Sequence, residues 1–130
     1  MPPYTALVTL LAIALYFYFA TRVAVARGKY GVALPATSGN ADFERVFRIH
    51  QNTHEWMPIL LAPLWICALT LTDLGAATLG LVWLLGRIVY ATGYSRAVEK
   101  RLPGFFIQSS ACILLFLGAS VGLVRRLLGS

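Results

Sequence analysis

Long apolar stretches alternate with short polar segments along the chain, and the length of each stretch predicts a helix. Tyr4 to Ala20 carries no charge, and after Arg22 the apolar run resumes through Ala26, which gives a first span over about residues 4–26. A membrane-crossing helix needs about 20 mostly apolar residues, and this run supplies them. Met1, Pro2 and Pro3 form no basic lead segment, and the run is longer than a signal-peptide core, so a retained helix is expected. Gly28, Gly31, Pro35 and Gly39 then mark a loop over residues 27–41.

A second helix is expected over about residues 42–71, capped by Asn40 or Asp42, with Asp42 and Glu44 at its positive end. Its first half is polar; its second half, from Met57, is apolar and contains Pro58 and Pro63. At about 1.5 Å per residue it would run roughly 45 Å, well over the roughly 30 Å of bilayer hydrocarbon. The polar half should therefore lie at headgroup level or line an internal cavity, with a kink near the prolines. A tight turn at Leu71–Asp73 leads to a third helix over about residues 74–99, with Arg87 its only charge before Arg96. Its apolar span is Leu74 to Ser95, Arg96 to Pro103 reads as a short basic loop, and an uncharged fourth span covers residues 102–124. The pattern is that of one all-α domain, residues 1–130, forming an integral membrane four-helix bundle.

Composition agrees with the pattern. The chain is 58% hydrophobic and 12% charged, whereas soluble domains carry about 25% charged residues. So few charges cannot cover a soluble protein of this size, which excludes a soluble enzyme, a disordered chain and a disulfide-stapled secreted module. The net charge of +6 would suit nucleic acid, but the cations flank apolar runs, so they read as topology signals and no nucleic-acid partner is expected. Arg22, Arg27, Lys29 and Arg45 surround the first loop, and Arg96, Lys100 and Arg101 the third. By the positive-inside rule those loops are cytoplasmic and both termini lie outside, with Arg125 and Arg126 as the opposing signal. Cys67 and Cys112 stand alone in apolar stretches and read as packing residues. Gly118 with Gly122, and Ala76 with Gly80, offer small faces for close helix approach or oligomerisation, and Tyr16–Phe19 reads as an interfacial belt or lipid-facing ridge.

The second helix carries the candidate chemistry. Arg45, Arg48, Asn52 and Glu55 fall within about 80° of one another on a helical wheel, with His50 and His54 on another face. The stripe either satisfies itself, through Arg48–Glu55 and Arg45–Asn52 contacts, or serves a ligand, as ionisable groups beside a membrane core usually do. On the third helix Arg87, Tyr90, Tyr94 and Arg101 share a face if the helix continues to Arg101. Arginines suit carboxylates and a glutamate suits an amine, so a zwitterionic peptide with several carboxylates fits the set. There is no serine–histidine–acid set and no HExxH, and His50 with His54 makes an incomplete zinc site, so no metal is expected.

Two segments resemble a known family. FERVFRIHQNTHEWMP (43–58) and GLVWLLGRIVYATGY (80–94), the latter followed by EKRLP (99–103), are similar to the helix-two and helix-three signatures of the MAPEG family, membrane-associated proteins in eicosanoid and glutathione metabolism. Within it the likeness is closest to the microsomal glutathione transferase and leukotriene C synthase type. The resemblance implies a homotrimer of four-helix subunits with glutathione, the co-substrate, bound between subunits near the cytoplasmic face. By motif position Arg48, Asn52, Glu55, Trp56, Tyr90 and Tyr94 would hold glutathione, Arg27 and His50 would reach the glutathione of an adjacent subunit, and Arg101 would stabilise its thiolate. Trp56 replaces a tyrosine of the leukotriene-type members, so its contact would be stacking, and Gly28 replaces an arginine assigned there to the lipid substrate. The departure at Gly28 favours a general transferase or peroxidase acting on apolar electrophiles or lipid hydroperoxides over a dedicated leukotriene synthase. The alternatives are a non-catalytic lipid-binding protein of the same fold and a small multidrug exporter.

Overall fold

A computed structural model describes residues 1–129. Among them there are four long helices, α1 (Pro3–Tyr30), α2 (Ala41–Thr70), α3 (Asp73–Arg96) and α4 (Leu102–Leu127), with one turn of 3-10 helix, Val98–Arg101, between the last two. α1 opens with proline in its first turn and runs one turn beyond the expected span, because the lone Gly28 costs a helix interior only about 1 kcal/mol and does not stop it. It ends at Gly31, whose φ of 68° is the left-handed conformation that terminates helices. α2 is capped as expected by Asn40, whose side chain accepts from the Phe43 N–H at 3.0 Å, and is unbroken through Pro58 and Pro63.

The third element departs from expectation. α3 stops at Arg96, with Ala97 in extended conformation, and the chain folds back through the 3-10 turn. Residues 97–101 therefore do not continue the α3 face.

α2 and α3 form the middle of the bundle, with α1 packed against both on one side and α4 against both on the other. Leu60 and Leu64 of α2, Trp83 of α3 and Leu115 of α4 are fully buried where the three meet. α3 and α4 touch almost backbone to backbone: a Cβ on Gly104 would collide with the Tyr90 backbone and with the Gly86 carbonyl. The two small-residue pairs serve packing within the chain. Gly80 faces Val8 of α1, while Gly118 and Gly122 face Cys67 and Thr70 of α2. Asp73 ties the far end of α1 into the bundle by accepting from the Thr5 N–H at 2.8 Å and the Tyr4 N–H at 3.1 Å.

The outer surface is apolar too: Leu10, Phe17, Leu74, Leu85, Phe106 and Phe116 are all more than half exposed. Such a surface belongs in lipid. α1, α3 and the stretch Val98–Leu127 are each long and apolar enough to cross a membrane. α2 matches them in length but carries charges through its first half. Of the expected aromatic ridge, Phe17 and Tyr18 face outward, whereas Phe19 is buried and Tyr16 turns toward α2.

Candidate functional site

The only cation wholly buried among the described residues is Arg87, in the middle of α3. Its guanidinium donates from Nη1 to Asn52 Oδ1 at 2.8 Å and from Nη2 to Thr53 Oγ1 at 2.7 Å. Longer contacts of 3.5 Å reach Gln108 Oε1 on α4 and the Ile49 carbonyl on α2. Its other face stacks on Tyr90, with 4.2 Å from the guanidinium carbon to the ring centre. Arg87 thus belongs to the interior, joining three helices, and does not face a ligand pocket as its place in a polar stripe had implied. Thr53 and Gln108, both fully buried, are the partners that sequence reasoning missed.

From Arg87 a line of side chains leads to the end of the bundle. Tyr90 and Tyr94 stack with ring centres 5.6 Å apart, and the Arg101 guanidinium lies 5.9 Å from the Tyr94 ring. Arg101 reaches Tyr94 through the fold-back at Ala97, not through helical spacing. The approach is close enough that a Cβ on Gly93 would collide with the Lys100 carbonyl. Arg101 donates from Nη1 to the Val98 carbonyl at 2.6 Å, which aims the guanidinium while leaving Nε and Nη2 available. Arg48 of α2 and Arg101 both lie within electrostatic reach of the Tyr90 hydroxyl. Asn52, Tyr90, Tyr94 and Arg101, with Arg48 nearby, are therefore gathered on one side of α2 and α3.

Neither contact of the self-satisfied alternative forms. Arg45 pairs with Asp42 one turn earlier, and Asn52 accepts from Arg87. Arg48 and Glu55 are exposed and have no hydrogen-bond or ion-pair partner among the described residues. Trp56, the next residue on α2, packs edge-on against Phe105 of α4 at 6.0 Å between ring centres. It also opens a groove between α2 and α4, about 550 Å³ and nearly all apolar, lined further by Pro58, Pro63, Cys112 and Phe116.

Two sequence-predicted residues are engaged elsewhere. Arg27 closes the loop after α1 by donating to the Ala36 carbonyl at 2.6 Å and the Val32 carbonyl at 3.4 Å, while its guanidinium covers the Phe43 ring. His50 lies against Tyr16 of α1, 4.9 Å between ring centres, and the Tyr16 hydroxyl bonds His54 Nδ1 at 2.9 Å. No group of three or more potential metal ligands occurs among the described residues.

The family model described as MAPEG family matches residues 5–121. Human microsomal glutathione S-transferase 2 is 40% identical over 123 residues, covering 95% of this chain and 84% of its own. Leukotriene C4 synthase of Rattus norvegicus is 39% identical over 123 residues, 95% of this chain and 82% of its own. An uncharacterized protein of Synechocystis sp. is 48% identical over 122 residues, 94% of this chain and 89% of its own. With a match across nearly the whole length, and the helix-two and helix-three signatures on adjacent packed helices, this integral membrane chain belongs to the MAPEG family.

Proposed function

We propose that the protein is a membrane-bound glutathione transferase that also reduces lipid hydroperoxides. The observation that carries this reading is the unpartnered Arg48 near the Tyr90–Tyr94–Arg101 line, with the unpartnered and oppositely charged Glu55 about two helical turns further along the same stripe of α2. An amide, two phenols and guanidinium groups gathered together, with a carboxylate on the same helical stripe, complement a tripeptide with two carboxylates, one amine and a thiol. The transferase and synthase names of the relatives point the same way.

In this mechanism Arg48 takes a carboxylate of glutathione and Glu55 its amine. The Asn52 carbonyl oxygen is committed to Arg87, so its amide N–H groups are what it offers the ligand. Trp56 stacks along the peptide, and Tyr90 and Tyr94 donate hydroxyl hydrogen bonds. Arg101 holds the thiolate. A free thiol titrates near about 8.5, and lowering that by about two units takes roughly 2.7 kcal/mol of preferential stabilisation. A guanidinium in a site partly shielded from water supplies that through a charge-assisted hydrogen bond.

The apolar groove beginning at Trp56 admits the electrophile from the lipid side, placing a greasy carbon or peroxide beside the polar end. Attack on carbon forms a thioether and expels the leaving group. Attack on a hydroperoxide releases the alcohol, and a second glutathione completes the disulfide with loss of water. In a homotrimer, Arg27 and His50, which turn toward α1 and its loop, would complete the site of a neighbouring subunit. The same reading places the site at the cytoplasmic end, with both termini on the other side of the membrane.

The test is turnover by the detergent-purified full chain with glutathione and a panel of apolar electrophiles and fatty-acid hydroperoxides. Glutathione-dependent product formation is expected. Glutathione binding without turnover on any member of the panel would leave a non-catalytic lipid-binding protein as the correct reading.

A further inference from the structure

A second cleft, about 480 Å³, opens between α1, α3 and the first half of α2, and none of the candidate glutathione residues lines it. Its volume is that of a ligand pocket. Leu15, Phe19, Val46 and Ile88 make its walls apolar, and Arg22 and Arg96 stand on its lining as its cations. Both arginines are exposed, and neither has an ion-pair or hydrogen-bond partner among the described residues.

The two kinds of residue are separated in depth. Leu15 lies two helical turns before Arg22 on α1, and Ile88 about two turns before Arg96 on α3, so the apolar wall extends roughly 10–12 Å inward from the cations. α1 and α3 run in the same direction through the bundle, since α2 returns between them, so both arginines mark the same membrane boundary. A pocket with cations at the boundary and an apolar slot leading toward the bilayer centre has the polarity of a membrane lipid. A soluble anion would leave the apolar walls unfilled. A second copy of the chain is a poor charge partner: it has five acidic residues against eleven basic ones, and two of the five, Asp42 and Asp73, are already engaged.

We propose that this cleft binds an anionic phospholipid, with the phosphate held between Arg22 and Arg96 and one acyl chain along Leu15, Phe19 and Ile88. Arginine pairs suit phosphate, and basic pockets between membrane helices at that depth recognise anionic headgroups. The proposal is independent of the glutathione reading, because the two sites share no residue.

A photoreactive side chain placed in the cleft tests it. The full-length chain carrying Thr92→p-benzoylphenylalanine is reconstituted in mixed phosphatidylcholine and phosphatidylglycerol vesicles with matched acyl chains, irradiated, and weighed by mass spectrometry. The expected adduct is one lipid per chain, with a phosphatidylglycerol-to-phosphatidylcholine ratio among adducts about tenfold above the ratio in the vesicle. Arg22→Gln with Arg96→Gln should bring labelling down to the vesicle proportion. Lys29→Gln, which removes an exposed cation from the same end of α1, should leave the enrichment intact. Labelling of both lipids in vesicle proportion by the parent chain, an adduct with a second copy or with added oleate in place of phospholipid, or enrichment that survives loss of both arginines would each overturn the proposal.

Discussion

Arg87 and Asn52 are joined by a hydrogen bond of 2.8 Å between the middle of α3 and the polar half of α2. The bond links the buried interior to the candidate site, because the same guanidinium stacks on Tyr90 and bonds Thr53. Replacing Arg87 by leucine leaves Asn52, Thr53 and Gln108 without their donor. At about 1–3 kcal/mol for each buried group left unsatisfied, the two buried ones, Thr53 and Gln108, should together cost the variant about 2 kcal/mol or more. Thermal unfolding in detergent checks this, and an unchanged midpoint would mean that the cluster does not hold the helices together.

The contact of α3 with α4 at Gly104 has no room for a side chain. Gly104→Val should force the helices apart at Tyr90 and cost about 1–3 kcal/mol or more, again read as a lower unfolding midpoint. Gly28 is the opposite case, since a Cβ there meets nothing within 4 Å. Gly28→Arg should keep or raise stability, by up to about 1 kcal/mol, so a change in preference among lipophilic substrates would not come from lost folding.

The legible part of the fold and the illegible part have different physical causes. Helix positions follow from apolar run length, and the Asn40 cap from its side chain's fit to an exposed N–H. A basic loop from Arg96 was legible, but not its form, because no glycine or proline marks residues 96–101; the extended Ala97 and the 3-10 turn go with close packing against Gly93. The burial of Arg87 was not legible either. An arginine in an apolar helix reads as ligand-facing until its partners are known, and Thr53 and Gln108 come from two other helices. The candidate residues on α2 share one motif, and the helical wheel already separates His50 from Arg48 and Glu55; that His50 meets Tyr16 and that Arg27 is tied to its own loop emerges only once α1 is in place.

Glu55 is unpartnered and exposed, so its substitution should not disturb the fold. Glu55→Gln removes the charge offered to the amine of glutathione and should raise the glutathione KM about tenfold, which corresponds to about 1.4 kcal/mol, with kcat little altered. Steady-state kinetics with glutathione varied at fixed electrophile measures this. An unchanged KM would remove Glu55 from the binding set.

In the proposed mechanism Arg101 makes the bound thiol acidic. Thiolate absorbance on adding glutathione to the purified full chain, followed against pH, tests it most directly. Thiolate should form at neutral pH in the wild type, about two units below the free thiol value near 8.5. In Arg101→Ala the titration should move back up toward the free value while glutathione still binds. A variant that binds glutathione and forms thiolate at the wild-type pH would mean that Arg101 does not stabilise the thiolate.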